Sequence, residues 1–274
     1  MFDSTLQSEL TQGPVSFSLR AALFAIIVVS VGLRIASALF QGNAIDTLPG
    51  VWDQVSYDGL ARRLLDGHGF SFSEAWWPAT RANEPTAHWS YLYTLFLTGI
   101  YAVTGAQPLV ARLLQAVLVG ILHPWLAWRL GKRIFGPSAG ILAALFSAIY
   151  IYFFYYGGAL VTETMYITAL LWIFDVALRL YDRPFESPWR WMELGLAIGV
   201  AALLRQLVLL YVPFLFLWLW WRTGALHTSQ RVRQQIEGAY SGLNYDQKLN
   251  VRFRRMFSMR SLSGFVYASV MILM

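Results

Sequence analysis

The chain has 274 residues, 57% of them hydrophobic and only 13% charged, with a mean hydropathy of +0.49. A soluble domain carries about 25% charged residues, so the composition excludes an ordinary soluble protein and leaves an all-α, polytopic membrane helix bundle. The net charge of +6 does not mark a nucleic-acid binder, because the basic residues cluster in short loops between apolar runs, where they set orientation.

The chain contains no cysteine, which rules out disulfides and thiolate chemistry. The first apolar run, residues 21–40, is about as long as a spanning helix requires. Ala36-Ser37-Ala38 has the look of a signal-peptidase site, but the apolar core is longer than a signal peptide's and its basic flank is only Arg20. The run reads as a retained anchor, with Arg34 snorkelling near its outer end.

A long polar segment, residues 41–105, follows as the first outer loop. In Trp52-Asp53-Gln54-Val55-Ser56-Tyr57-Asp58, Asp53 precedes a short amphipathic helix. Tyr57, Leu60, Ala61 and Leu64 share one face, while Asp58, Arg62 and Asp66 form a polar stripe. Gly67 and Gly69 end it, and its apolar face suits the membrane–water interface. The apolar stretch Tyr91–Thr104 is marginal in length. The basic groups after it share the cytoplasmic side only if it does not cross, so it is expected to lie in, or re-enter, the interface.

The spans expected next are residues 110–128, 137–156 and 160–178. Arg179, Arg183 and Arg190 are placed in the loop that follows the last of these. Residues 191–221 are too long for one crossing and have basic residues at both ends. Two short or tilted helices with an outward tip near Arg205-Gln206 fit, and Pro213 is expected to kink the second. Residues 223–260 form a basic cytoplasmic loop. The final apolar run is too short to cross, so either the chain is a fragment of something longer or its end is buried unusually.

This topology gathers three ionisable groups on the outer face: Asp53, Glu163 and Arg205. Each has a simpler explanation: helix N-cap for Asp53, a first-turn acid for Glu163, and an interfacial snorkeller for Arg205. Ionisable residues at membrane depth are nevertheless functional suspects. Carboxylates deprotonate a hydroxyl or hold a divalent ion, and arginine grips phosphate. Together they suit transfer from a lipid-linked phosphate donor. Zinc is poorly supported, since His68 and His88 have no helix-face spacing, and His123 beside Pro124 marks a kink.

The order of motifs resembles the membrane glycosyltransferases of the GT-C fold, the group that includes protein O-mannosyltransferases and the lipid A aminoarabinose transferase. The resemblance runs over residues 21–222. It rests on Asp53-Gln54-Val55-Ser56-Tyr57, Glu84-Pro85 leading into Tyr91-Leu92-Tyr93, and Ala111-Arg112-Leu113-Leu114-Gln115. It also rests on Lys132-Arg133-Ile134-Phe135-Gly136, Thr162-Glu163 and Leu203-Leu204-Arg205. Gln54 departs from the family's Asp-Glu pair, and no lysine follows Glu84.

The resemblance implies a glycosyltransferase that moves a sugar from a polyprenyl-phosphate donor to a lipid, glycan or protein acceptor. The setting it implies is a bacterial inner membrane, with the site facing the periplasm or exterior. Asp53 would be the general base and Glu163 the second acid. Tyr57, Glu84 and Arg205 would bind substrate, with Arg205 on the phosphate and Glu84 a ligand for a divalent metal (Mg, Mn or Zn). A catalytically inactive truncated homologue serving as scaffold or subunit of a larger membrane complex, and a lipid-linked-sugar transporter, stand as alternatives.

Overall fold

The computed structural model describes residues 15–46, 52–78, 80–182 and 187–226. All but the first four residues of the basic loop expected at 223–260 therefore lie outside the described residues, as does the final apolar run. The described chain is helical, without a β-strand, in the order α1 (Val15–Gln41), α2 (Asp53–Leu65), α3 (Tyr91–Thr104), α4 (Pro108–Phe135), α5 (Pro137–Ile149), α6 (Ile151–Gly158), α7 (Glu163–Asp182), α8 (Pro188–Leu204), a 3-10 turn (Gln206–Leu210) and α9 (Val212–Leu226). Among the described residues, α1, α4 and α7 are long and apolar enough to cross a membrane. The bent pair α5–α6 makes a fourth if it counts as one span. The protein is an all-α, polytopic integral membrane protein. It divides into two compact units, Met1–Leu171 and Trp172–Met274.

In the first unit the expected 137–156 span is broken. α5 and α6 meet at Tyr150 with a 52° bend, Tyr150 itself being extended (φ −64°, ψ 120°). Helix ends leave carbonyls unsatisfied, and this break leaves the Ser147 carbonyl without the N–H of residue 151. Arg34 supplies the missing donor. Its Nη2 donates to Ser147 O at 3.1 Å, while Nη1 donates to Ser30 O at 3.1 Å and to Ser30 Oγ. The expected snorkeller is thus fully buried. A cation at a helix C-terminus also meets the negative end of the macrodipole.

Small residues let the backbones close around it. A Cβ on Gly157 would lie 2.9 Å from Arg34 Cγ, and one on Gly158 2.6 Å from the backbone nitrogen of Ala38. Ser37 Oγ donates to Tyr155 O at 3.0 Å across the same seam. Further along α1, Val31 sits where a side chain on Gly120 of α4 would be. Such close approach through small residues is the usual packing device between membrane helices, where the hydrophobic effect gives little drive.

The segment between α1 and α4 is built differently. Ser90 caps α3 by accepting from the Tyr93 N–H at 3.2 Å, and Gly105 ends it in the left-handed conformation at φ 75°. Fourteen residues reach about 21 Å, too little for a crossing, in keeping with the expected short helix. The apolar face of α2 is covered by α3: Tyr57 packs edge-on against Tyr93, with centroids 4.9 Å apart, and Leu60 and Ala61 are fully buried. This corrects the interfacial reading of that face. The stripe opposite is corrected too, since Asp58 is buried and accepts from Tyr101 Oη at 2.7 Å and from Arg62 Nε at 2.8 Å.

In the second unit the break expected near Arg205-Gln206 is present. α8 stops at Leu204, Arg205 is extended (φ −150°, ψ 118°), and the 3-10 turn follows. Pro213 does not kink α9. It lies in the first turn, where a missing N–H costs nothing. Arg179 is not a loop charge either: it sits in the last turn of α7, bridging Asp175 at 3.0 Å and Glu193 of α8. Trp172 Nε1 donates to the same Glu193 at 3.0 Å, and Tyr181 stacks on Trp218 with centroids 5.2 Å apart.

Candidate active site

Asp53 and Glu163 each open a helix. Asp53 lies in the first turn of α2, after an N-cap position held by Trp52, so the carboxylate is not the cap. Glu163 lies in the first turn of α7. Both acids are half-buried and lie in a first turn, at the positive end of the helix macrodipole.

The segments that carry them are joined. Gln54, which follows Asp53, accepts from the N–H of Leu160 at 2.9 Å and donates to Asp46 O at 3.1 Å. Leu160 stands three residues before Glu163. From α4, Gln115 Nε2 donates to Ala159 O at 2.8 Å and Gly157 O at 3.2 Å, while its Oε1 accepts from Tyr93 Oη at 2.7 Å. Burial first, then the charges around it, Glu163 among them, push the Tyr93 phenol well above its ordinary range. Tyr93 therefore stays an O–H donor. Tyr57 reaches this cluster through its ring contact with Tyr93 and a second, at 5.5 Å, with Trp89.

Around the start of α2 the loop residues form a continuous aromatic layer. Trp76 donates to Ser56 Oγ at 2.9 Å and stacks on Phe72 at 5.3 Å. Trp52 meets its edge at 6.4 Å, leaving Trp52 exposed beside Asp53.

Glu84 is placed elsewhere. It is an exposed residue of the 71–85 loop, with Arg81 3.7 Å away. Among the described residues no three His, Cys, Asp or Glu side chains come together as a metal site would need. At Glu84 the neighbouring group is a guanidinium, so the donor set there does not fit a cation. Arg205 belongs to the second unit and is half-buried at the break after α8.

The same unit holds an apolar groove of about 690 Å³, lined by His123 and Ala127 of α4, Phe146 of α5, Phe153 of α6, and Ile167 and Leu171 of α7, among others. Ile167 and Leu171 lie one and two turns after Glu163 on α7. Glu163 itself does not line the groove. His123, expected as a kink marker, is a buried wall residue, with Nδ1 3.4 Å from Thr168 Oγ1 and its ring 4.6 Å from Phe153.

The two glutamines and the Asp58–Tyr101 pair have no role in the sequence reading. Gln115 carried a signal: an amide in the middle of a long apolar helix must find partners inside the bundle. Gln54 was visible only as a departure from the Asp-Glu pair.

An all-α membrane bundle with an acid-bearing segment between its first two long helices is consistent with a GT-C type membrane glycosyltransferase. Residues 88–234, more than half the chain, match the family described as dolichyl-phosphate-mannose-protein mannosyltransferase, and the chain belongs to that family. The match contains Glu163 and Arg205, while Asp53, Tyr57 and Glu84 precede it. No curated protein and no solved structure was matched.

Proposed function

We propose that the chain transfers a glycosyl group from a polyprenyl-phosphate donor to an acceptor hydroxyl on the non-cytoplasmic face of the membrane, with Asp53 and Glu163 at the reaction centre. The observation that carries this reading is the apolar groove walled in part by Ile167 and Leu171 of α7, the helix that Glu163 opens. A donor of this class has the same layout: an isoprenoid chain that belongs in the bilayer and a polar phosphosugar head.

In the step proposed, the acceptor oxygen bonds to the anomeric carbon as the bond from that carbon to the phosphate oxygen breaks. The hydroxyl proton passes to the Asp53 carboxylate, and polyprenyl phosphate leaves with the bonding electron pair. Glu163 faces the positive charge that develops on the sugar. For Arg205, in the second unit, phosphate binding is proposed from the Leu203-Leu204-Arg205 motif alone. No step is routed through a metal.

The test is transfer of labelled sugar from a polyprenyl-phosphate donor by membranes containing the full-length protein. Asp53→Asn is expected to lower the rate by about 10²–10⁴-fold, the usual worth of a general base, and Glu163→Gln to lower it as well. Transfer unchanged in both variants would sink the assigned roles.

A further inference from the structure

The turn between α6 and α7 is buried irregular backbone. Ala159, Leu160, Val161 and Thr162 are fully buried and not helical. The N–H groups of Ala159 and Val161 and the carbonyl of Thr162 find backbone partners nearby, but the N–H of Leu160 and the carbonyl of Gly157 are bonded by side chains. Buried backbone of this kind survives only where the protein supplies such partners. Two amide side chains do so here. Gln115 takes the carbonyls of Gly157 and Ala159, and Gln54 takes the N–H of Leu160.

Position 54 must accept from Leu160 and donate to the Asp46 carbonyl at once. An amide does both. A carboxylate would set an acceptor against an acceptor, which gives a physical reason why glutamine stands beside Asp53. A leucine would leave the N–H of Leu160 unpaired, and Leu160 and Gln54 are both buried, so water cannot take the place of the amide there; Asp46 is exposed to solvent.

From this geometry we infer that Gln54 is a positioning residue: a single amide that fixes the separation of the two acids by tying the helix that Asp53 opens to the turn that leads into Glu163. Gln115 is its counterpart, anchoring the same turn to α4 and, through Tyr93, to α3. The inference rests on the roles proposed for Asp53 and Glu163. It adds that their alignment depends on one hydrogen bond that neither acid makes.

The experiment uses the full-length enzyme and exploits the absence of cysteine. Spin labels at Asp66→Cys and Tyr152→Cys, two exposed positions beyond α2 and on α6, report the distance between the two segments. Gln54→Leu is expected to shift or broaden that distance distribution. It should also lower kcat by about 10²-fold, the scale of a 1 Å misplacement, with the KM for donor little changed. Gln54→Glu, which keeps the acceptor for Leu160, should fall between wild type and Gln54→Leu.

Tyr101→Phe is the matched control. It removes a hydrogen bond to α2 without touching either glutamine, and should leave the label distance and kcat in place. If Gln54→Leu behaves like Tyr101→Phe in both measurements while Asp53→Asn is inactive, the positioning role is wrong and the proposed function stands. If Asp53→Asn keeps full activity, the proposed function fails and the kcat arm with it. The label distance then decides by itself whether Gln54 sets the separation.

Discussion

The seam where α1 meets α6 and the segment from α2 to α3 lie in the same unit and are held together in different ways. Along the seam, backbone approaches backbone and the contact surface is glycine: Gly158 leaves no room for even a methyl group against Ala38. From α2 to α3 the contact is made by large side chains in pairs, such as Tyr101 with Asp58 and Tyr57 with Tyr93. A seam of the first kind is all or nothing. One of the second kind fails by degrees, and only a segment that fails by degrees can be tuned at single residues around a reaction centre.

The sharpest way to break the contrast is Gly158→Ala. Two of the obstructing atoms, Ala38 N and Ser37 C, are backbone and cannot move aside, so the variant is expected to lose about 3 kcal/mol or more. Fluorescence-detected size exclusion in mild detergent should show little monodisperse protein. A folded variant with near-native thermal stability would mean that the seam gives, and the contrast would dissolve.

Tyr101→Phe should cost about 2 kcal/mol, the worth of a hydrogen bond to a carboxylate that keeps its second partner Arg62. A lowered melting temperature with an intact elution profile is the expected outcome. Arg81→Ala should cost about 0.5 kcal/mol or less, because its pairing with Glu84 is exposed to solvent and screened. A thermal shift as large as that of Tyr101→Phe would show that the 71–85 loop carries more load than its exposure implies.

Much of the fold was legible from hydropathy and length. The anchor, the short α3, the long α4 and the break at Arg205 all follow from how many apolar residues a bilayer accommodates. The break at Tyr150 did not, because residues 150–156 are aromatic and aliphatic without a proline, and hydropathy registers composition rather than direction. Arg34 was misread for the same reason. Its partner is a carbonyl freed by that break, 113 residues away, and no local pattern announces it.

The site divides similarly. Asp53 and Glu163 stood out through the Asp53-Gln54-Val55-Ser56-Tyr57 and Thr162-Glu163 motifs, and the structure joins the segments that carry them through Gln54. Glu84 was equally conspicuous and lies on an exposed loop against Arg81. The glutamines were passed over because an uncharged amide looks like filler until its hydrogen bonds are counted.

The pairing of Arg34 with Ser147 bears on how the protein is made. α1 leaves the ribosome long before α5 exists. At roughly 5–20 residues per second, the 113 residues between Arg34 and its acceptor take roughly 6–23 s to synthesise. Through that interval the guanidinium has only Ser30 of its own helix for company, and an arginine in an inserting helix is unfavourable, by up to about 2.5–3.5 kcal/mol at the helix centre and less toward its ends, where Arg34 lies. The first helix therefore enters the bilayer as a provisional element. Its final depth is settled only when the broken span arrives to receive its charge, which makes biogenesis of the N-terminal anchor depend on sequence that has not yet been translated.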